Sequence, residues 1–167
     1  PSRIYIVGHS LGGMLAPRIA ERSGAVAGLV LLAAPTGKLH PTMERQLAYL
    51  GRSAEEIRKL TEIALADIPD SYLDLDARYS DTATAQSLNL PMLILQGERD
   101  YQVTMDDYWA WREAVGNRQG VVMKSYPSLN HLFMSGEGAS MPEEYRTPGH
   151  VAEEVMDDIA NFILLGK

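Results

Sequence analysis

The residues of this sequence whose types and spacing suit covalent chemistry are one serine, one aspartate and one histidine. The serine sits in Gly8-His9-Ser10-Leu11-Gly12-Gly13, which follows a strand-like run and opens a helix-like one. That setting matches a nucleophile elbow, G-x-S-x-G. A serine at a strand-to-helix turn takes a strained backbone, so its neighbours two positions away must be small. Its hydroxyl then stands clear of the sheet at a helix N-terminus. There the free N–H of Leu11 is placed to help hold a developing oxyanion. The chemistry open to such a serine is attack on a carbonyl carbon.

The aspartate is Asp100, in Gln96-Gly97-Glu98-Arg99-Asp100, directly after the apolar run Pro91–Leu95. A carboxylate just beyond a strand's C-terminal end lies on the edge where parallel α/β sheets place their sites. Taken alone it reads as a loop acid or a helix cap, and Glu98 is its one serious rival. The histidine is His131, in Ser128-Leu129-Asn130-His131-Leu132-Phe133, again beyond a strand. A lone histidine is more often a packed or surface residue. Three features on one sheet edge reverse that weighting.

The other histidines compete poorly. His9 adjoins the serine, and at such a turn its side chain is expected to point elsewhere. His40 precedes a helix start and reads as a cap or solvent residue. His150 opens the last helix, where a cation is disfavoured. The four histidines lack the i, i+4 spacing of a zinc pair, so no metal and no cofactor is indicated. Gly37-Lys38 is not a phosphate loop, because Leu39 stands where Ser or Thr is needed.

Short apolar runs alternate with amphipathic stretches, which predicts an α/β layered fold with a mostly parallel sheet. The expected strands, read as buried, are Ile4–Val7, Val26–Ala34, Pro91–Leu95 and Val121–Tyr126, each rich in Val, Ile, Leu or Met and most without the alternation of a half-solvated sheet. Helices are expected from about Leu11 to Arg22 and from Thr104 to Val115. The second opens on a capping box of Thr104 and Asp107 and stops at Gly116. A last helix is expected near His150 to Leu165, with Val151, Val155, Ile159, Phe162 and Ile163 as its apolar stripe. Residues 36–89 carry two or three helices and no strand, one starting at Pro41 and one capped by Ser53 with Glu56. That insertion is longer than a crossover needs. The whole chain, 1–167, reads as a single domain, and the polar stretch Met134 to Gly149 reads as a long loop after the histidine.

Of 167 residues 46% are hydrophobic and 22% charged, enough for one good core. Twenty-two acids against 15 bases give a net charge of −7, which argues against nucleic acid and anionic membranes. No apolar run approaches the roughly 20 residues of a membrane span. With no cysteine, disulfide scaffolds, thiolate nucleophiles and cysteine-ligated zinc are excluded. Compartment stays open, with the cytoplasm as default. Pro1 runs at once into a strand-like segment without a methionine or leader, so the chain reads as a piece of something longer.

GHSLGG, LILQGERD and LNHLF together resemble the α/β-hydrolase superfamily, and GHSLGGMLAPRIA with QGERDYQV is similar to its bacterial carboxylesterases. The order Ser, Asp, His is that of the superfamily. The resemblance implies Ser10 as nucleophile, His131 as general base, Asp100 as the residue that orients it, and a small-molecule ester as substrate. It covers the C-terminal half of the family's fold, strands 5 to 8, with a helical lid-like insertion after the second strand. Met43, Leu47, Tyr49, Leu50, Ile57 and Leu60 are expected to form an apolar lid. His9, Tyr101, Met43 and Leu47 are the candidate substrate contacts, although packing helices to the sheet is the commoner role for such residues. The family's loop for the second oxyanion N–H lies in the other half. Residues 4–7 would then be an unpaired apolar edge, expected to pair with a second copy or with the missing N-terminal half. The competing expectation is a fragment or interaction module with no activity of its own.

Overall fold

A computed structural model of the chain describes residues 4–165. Four strands, β1 (Tyr5–His9), β2 (Gly28–Leu32), β3 (Met92–Gly97) and β4 (Val121–Tyr126), form one sheet in the order β1-β2-β3-β4. All three pairings are parallel, with Tyr5 opposite Gly28, Leu29 opposite Met92 and Met92 opposite Val121. Seven α-helices accompany them: α1 (Leu11–Ser23), α2 (Leu39–Tyr49), α3 (Ala54–Ala66), α4 (Asp70–Arg78), α5 (Asp81–Ser87), α6 (Met105–Val115) and α7 (Glu153–Leu165). A short 3-10 turn covers Pro142–Arg146.

The lack of alternation in β2 and β3 has a direct cause, since both faces of the sheet are covered. Leu29, Leu31, Met92 and Ile94 point to one face and pack with Ala16 and Ala20 of α1, Ala85 of α5, and Trp111 and Val115 of α6. Val30, Leu93 and Leu95 point to the other and pack with Val155 and Phe162 of α7. Trp111 also donates its indole N–H to the Ala34 carbonyl at 2.9 Å. Asp107 accepts from the Thr36 N–H at 2.9 Å and from the Thr104 N–H at 3.0 Å, which ties the start of α6 to the segment leaving β2. Asp107 supplies one half of the expected capping box, its carboxylate accepting from the Thr104 N–H, while its own N–H turns to the Thr104 carbonyl at 3.0 Å.

Several expected boundaries move. β1 runs on to His9 and β3 to Gly97, so both deliver the chain directly to the candidate site. β2 ends at Leu32 because Ala33 takes a positive φ of 45°. α7 begins at Glu153, and Val151, expected on its apolar stripe, lies before the helix and is 44% exposed. His150 also precedes that helix, outside any regular element, rather than opening it.

The insertion differs most. The chain divides into two compact units, one of residues 1–36 and 81–167 and one of Gly37–Ser80. Four helices, not two or three, lie between β2 and β3, and the last, α5, belongs to the sheet unit because its Ala85 is buried in the core. Within Gly37–Ser80, α3 carries the expected capping box of Ser53 and Glu56. α2 opens at Leu39, ahead of Pro41, because the Asp76 carboxylate of α4 accepts from the Leu39 N–H at 3.2 Å. His40 sits inside α2 with its Nδ1 3.8 Å from Glu44.

Candidate active site

The serine turn is built by close approach of backbones. Ser10 has φ 53° and ψ −123°, a left-handed conformation that costs a non-glycine residue about 1–3 kcal/mol. Its N–H donates to the Leu32 carbonyl at 2.9 Å, which anchors the turn to β2. Its hydroxyl makes no capping bond to α1, and no acidic residue occupies the first turn of that helix. The Leu11 N–H therefore lies at a helix N-terminus whose positive end has no local carboxylate. The small-residue requirement is uneven. A Cβ on Gly8 would stand 2.3 Å from the Gly12 carbonyl oxygen, and one on Gly13 would stand 2.8 Å from the Ala34 Cβ. Gly12 itself has open space, so the glycine after the motif carries the packing expected of the motif's last position.

Asp100 and His131 meet directly, with His131 Nδ1 2.7 Å from Asp100 Oδ2. Both residues are buried. The carboxylate is held by three further donors: the Gln102 N–H at 2.8 Å, the Val103 N–H at 3.0 Å and the Gln96 side-chain amide at 3.3 Å. Gln96 also donates to the Val103 carbonyl at 2.8 Å, so it braces the turn around Asp100. A residue type rarely buried signals this in the sequence, since a glutamine follows the apolar run of β3. The rival Glu98 accepts from the Ser125 hydroxyl at 2.7 Å and is exposed.

Gly97 makes the Asp100–His131 approach sterically open. A Cβ there would stand 2.5 Å from the Leu129 oxygen and 2.7 Å from the Asn130 oxygen. The end of β3 thus passes directly against the turn that carries His131. Asn130 shapes that turn, its side-chain oxygen accepting from the Leu132 and Met134 N–H groups at 3.0 and 3.1 Å. The turn also holds Phe133 at a positive φ of 56°.

His9 does not point away from the site. Its Nε2 is 2.8 Å from the His131 carbonyl oxygen, and the two rings lie 4.6 Å apart. Desolvation by its neighbours lowers the His9 pKa, aided by the proximity of His131; the bond to the His131 carbonyl and the Asp100 charge oppose this. His9 is therefore a neutral donor at Nε2. Val7, His9, Leu132, Phe133, Val155 and Met156 are among the residues that line an apolar hollow of about 610 Å³ beside it. Tyr101, a candidate substrate contact, is buried and stacks on Tyr145 with centroids 6.4 Å apart. Met43 and Leu47 stand half-buried on α2, in the Gly37–Ser80 unit, where Tyr49 and Leu60 are exposed.

Arg99, beside Asp100, has its side chain only 8% exposed and reaches Glu144 Oε1 at 2.5 Å. It pins the loop after His131, which the sequence leaves as a long polar stretch. Among the described residues no three His, Asp or Glu side chains stand close enough to hold a metal ion.

Residues 1–161 match the model of the alpha/beta hydrolase family. The chain belongs to that family. As an alpha/beta hydrolase, it is 40% identical to esterase EstD of Thermotoga maritima over 178 aligned positions, covering 98% of this chain and 43% of the esterase. It therefore spans less than half the length of this curated relative. Solved structures share the fold. Acetyl xylan esterase 1 of Thermoanaerobacterium superposes with a TM-score of 0.60 at 16% identity, over 99% of this chain and 46% of that one. An esterase of Pyrococcus furiosus does so at 0.54 and 18%, over 78% of this chain and 46% of its own.

Proposed function

We propose that the chain carries the reacting residues of a serine esterase, with Ser10 as nucleophile, His131 as general base and Asp100 as the group that orients it. The observation that carries this reading is the 2.7 Å contact between His131 Nδ1 and Asp100. With the Nδ1 proton held by the carboxylate, Nε2 is left as the acceptor a base needs.

In the acylation step, His131 Nε2 takes the Ser10 hydroxyl proton while Oγ attacks the ester carbonyl carbon. The carbonyl electron pair moves onto oxygen, where the Leu11 N–H donates to it. Collapse of the tetrahedral intermediate breaks the bond to the alcohol, which leaves with the proton from His131. Water then attacks the acyl-serine, losing its proton to His131, and the acid departs as Ser10 regains its hydrogen. The named esterases among its relatives support a small carboxylic ester as the substrate class.

Incubation with a fluorophosphonate, peptide mapping and a Ser10→Ala control test the reading. Labelling confined to Ser10, with turnover of nitrophenyl esters, is expected. A folded protein that is neither labelled nor active would overturn it for this chain.

A second reading has the chain completed by a partner. It is favoured by the free side of β1, which among the described residues pairs only with β2 and leaves Val7 51% exposed. A strand edge of that kind invites pairing, with a second copy or with a preceding N-terminal half. Light scattering would then show a dimer or larger species for the isolated chain, or assembly once such a segment is added. A monodisperse monomer at micromolar concentration that still labels at Ser10 would end this reading.

A further inference from the structure

Asp100 and His131 come from turns far apart in the chain, and one partly buried ionic cluster joins the residues immediately before each of them. Arg99 precedes Asp100, Asn130 precedes His131, and both donate to the same carboxylate. Arg99 Nη2 reaches Glu144 Oε1 at 2.5 Å, and Asn130 Nδ2 reaches Glu144 Oε2 at 2.9 Å. The Ser140 hydroxyl adds a third donor at 3.3 Å. The guanidinium gives three further N–H groups to carbonyls of the same region, Gly138 at 2.8 Å, Glu137 at 3.0 Å and Ser128 at 3.4 Å. The backbone N–H of Arg99 donates to the Leu129 oxygen at 3.0 Å. Even the loop's composition is fitted to this cluster, because a Cβ on Gly136 would stand 2.2 Å from Arg99 Nη1.

We propose that Arg99, Glu144 and Asn130 form a clasp that sets the register of the Asp100 turn against the His131 turn. They are positioning residues that act through Asp100 and His131. The inference rests on the esterase reading for its catalytic meaning, while its geometric content stands apart from it. Three features favour this role over simple loop packing. The cluster bonds to both turns at once. Asn130 divides its two side-chain groups between the His131 turn and Glu144. And the planar arginine fork serves a carboxylate and three carbonyls, which a lysine's single ammonium does not reproduce.

Removing the clasp should let His131 drift from Asp100 without unfolding the sheet. The imidazole tautomer reports this directly, because the proton is fixed on Nδ1 only by the bond to Asp100. The variants are Arg99→Lys, Glu144→Gln and Gly136→Ala. The second places an amide where Asn130 and Ser140 both donate, and the third displaces the guanidinium without changing a polar group. Val115→Ala, a buried truncation on the opposite face of the sheet, serves as the comparison for general loss of stability. Nitrogen-15 spectra of the histidine rings and the rate of fluorophosphonate labelling at Ser10 are recorded for all of them on the full chain.

The clasp variants should show a mixed His131 tautomer and labelling slowed on the order of 10- to 100-fold, as misplacements near 1 Å produce. Val115→Ala should keep the wild-type tautomer and rate. Folded clasp variants that match Val115→Ala in both readouts would overturn the proposal, and any one of the three that folds suffices. If the wild type is itself unlabelled, the esterase reading fails for this chain, and the tautomer alone decides the clasp.

Discussion

His9 donates its Nε2–H to the carbonyl oxygen of His131 at 2.8 Å, so the residue before the candidate nucleophile is bonded to the candidate base. The serine turn and the histidine turn are thereby tied to each other by a side chain that belongs to neither step of the chemistry. His9→Gln keeps a donor and His9→Phe keeps the bulk without one. Fluorophosphonate labelling at Ser10 should fall roughly tenfold in His9→Phe, the scale of a lost positioning bond of about 1 kcal/mol, and recover in His9→Gln. Equal rates in the two variants would show that the ring's bulk, rather than its N–H, matters.

Asp100→Asn should separate orientation from folding. The Gln102 and Val103 N–H groups both bond Oδ1, and an amide oxygen accepts them equally well. The group facing His131 then becomes a donor, which forces the wrong tautomer. Loss of labelling and ester turnover by about 10⁴-fold is the precedent for that change. The expected result is that loss with only a modest fall in melting temperature, because the Gln96 amide that donates to Oδ2 at 3.3 Å would then face another donor. A variant retaining a tenth of wild-type turnover would remove Asp100 from its assigned role.

The glycines of the serine turn should respond unequally. Gly8→Ala drives a Cβ against the Gly12 carbonyl at 2.3 Å, and overpacking against rigid backbone costs about 1–3 kcal/mol or more. Gly12→Ala enters open space in the first turn of α1 and should be neutral or stabilising by up to about 1 kcal/mol. Urea denaturation of the two variants gives the comparison. Equal destabilisation would contradict the geometry.

Asp158 offers a pH test outside the site. Burial pushes its pKa up, but bonds from Lys124 and Tyr126, each at 2.5 Å, and the Lys124 charge outweigh this and hold it below the ordinary aspartate value. A carboxylate depressed in the folded state stabilises above its unfolded pKa, near 3.8, and the effect fades as pH falls through the lower folded value. The gap in melting temperature between wild type and Asp158→Asn should therefore be open at pH 6 and close progressively below pH 4. A gap independent of pH would show that the carboxylate's charge contributes nothing.

What the sequence discloses of this molecule follows from how local the physics is. The serine turn is legible because strand, strained turn and helix are consecutive, and the covering of both sheet faces is legible in the unbroken apolar runs of β2 and β3. Asp100 and His131 are legible as positions, each just past a strand. The orientation of His9 is not, since it depends on a carbonyl contributed by a turn far along the chain. The Arg99–Glu144 pair is equally hidden, because charged residues in polar loops ordinarily face water. α5 is mistaken for part of the insertion because its one fully buried side chain, Ala85, is too small to give a periodic signal. Tyr101 lies against Tyr145, a contact that its place beside Asp100 in the sequence does not announce.

The interposed Gly37–Ser80 unit has a consequence for how the molecule is made. β2 takes β1 on one side and β3 on the other, yet the chain passes through α2, α3, α4 and α5 before β3 is synthesised. At translation speeds of about 5–20 residues per second, that edge of β2 stays open for several seconds. Helices form from local contacts in microseconds to milliseconds, so those of the insertion can form long before β3 is made. During that interval β2 is an apolar ribbon available to chaperones or to neighbouring nascent chains, and the duration of its exposure is set by the ribosome.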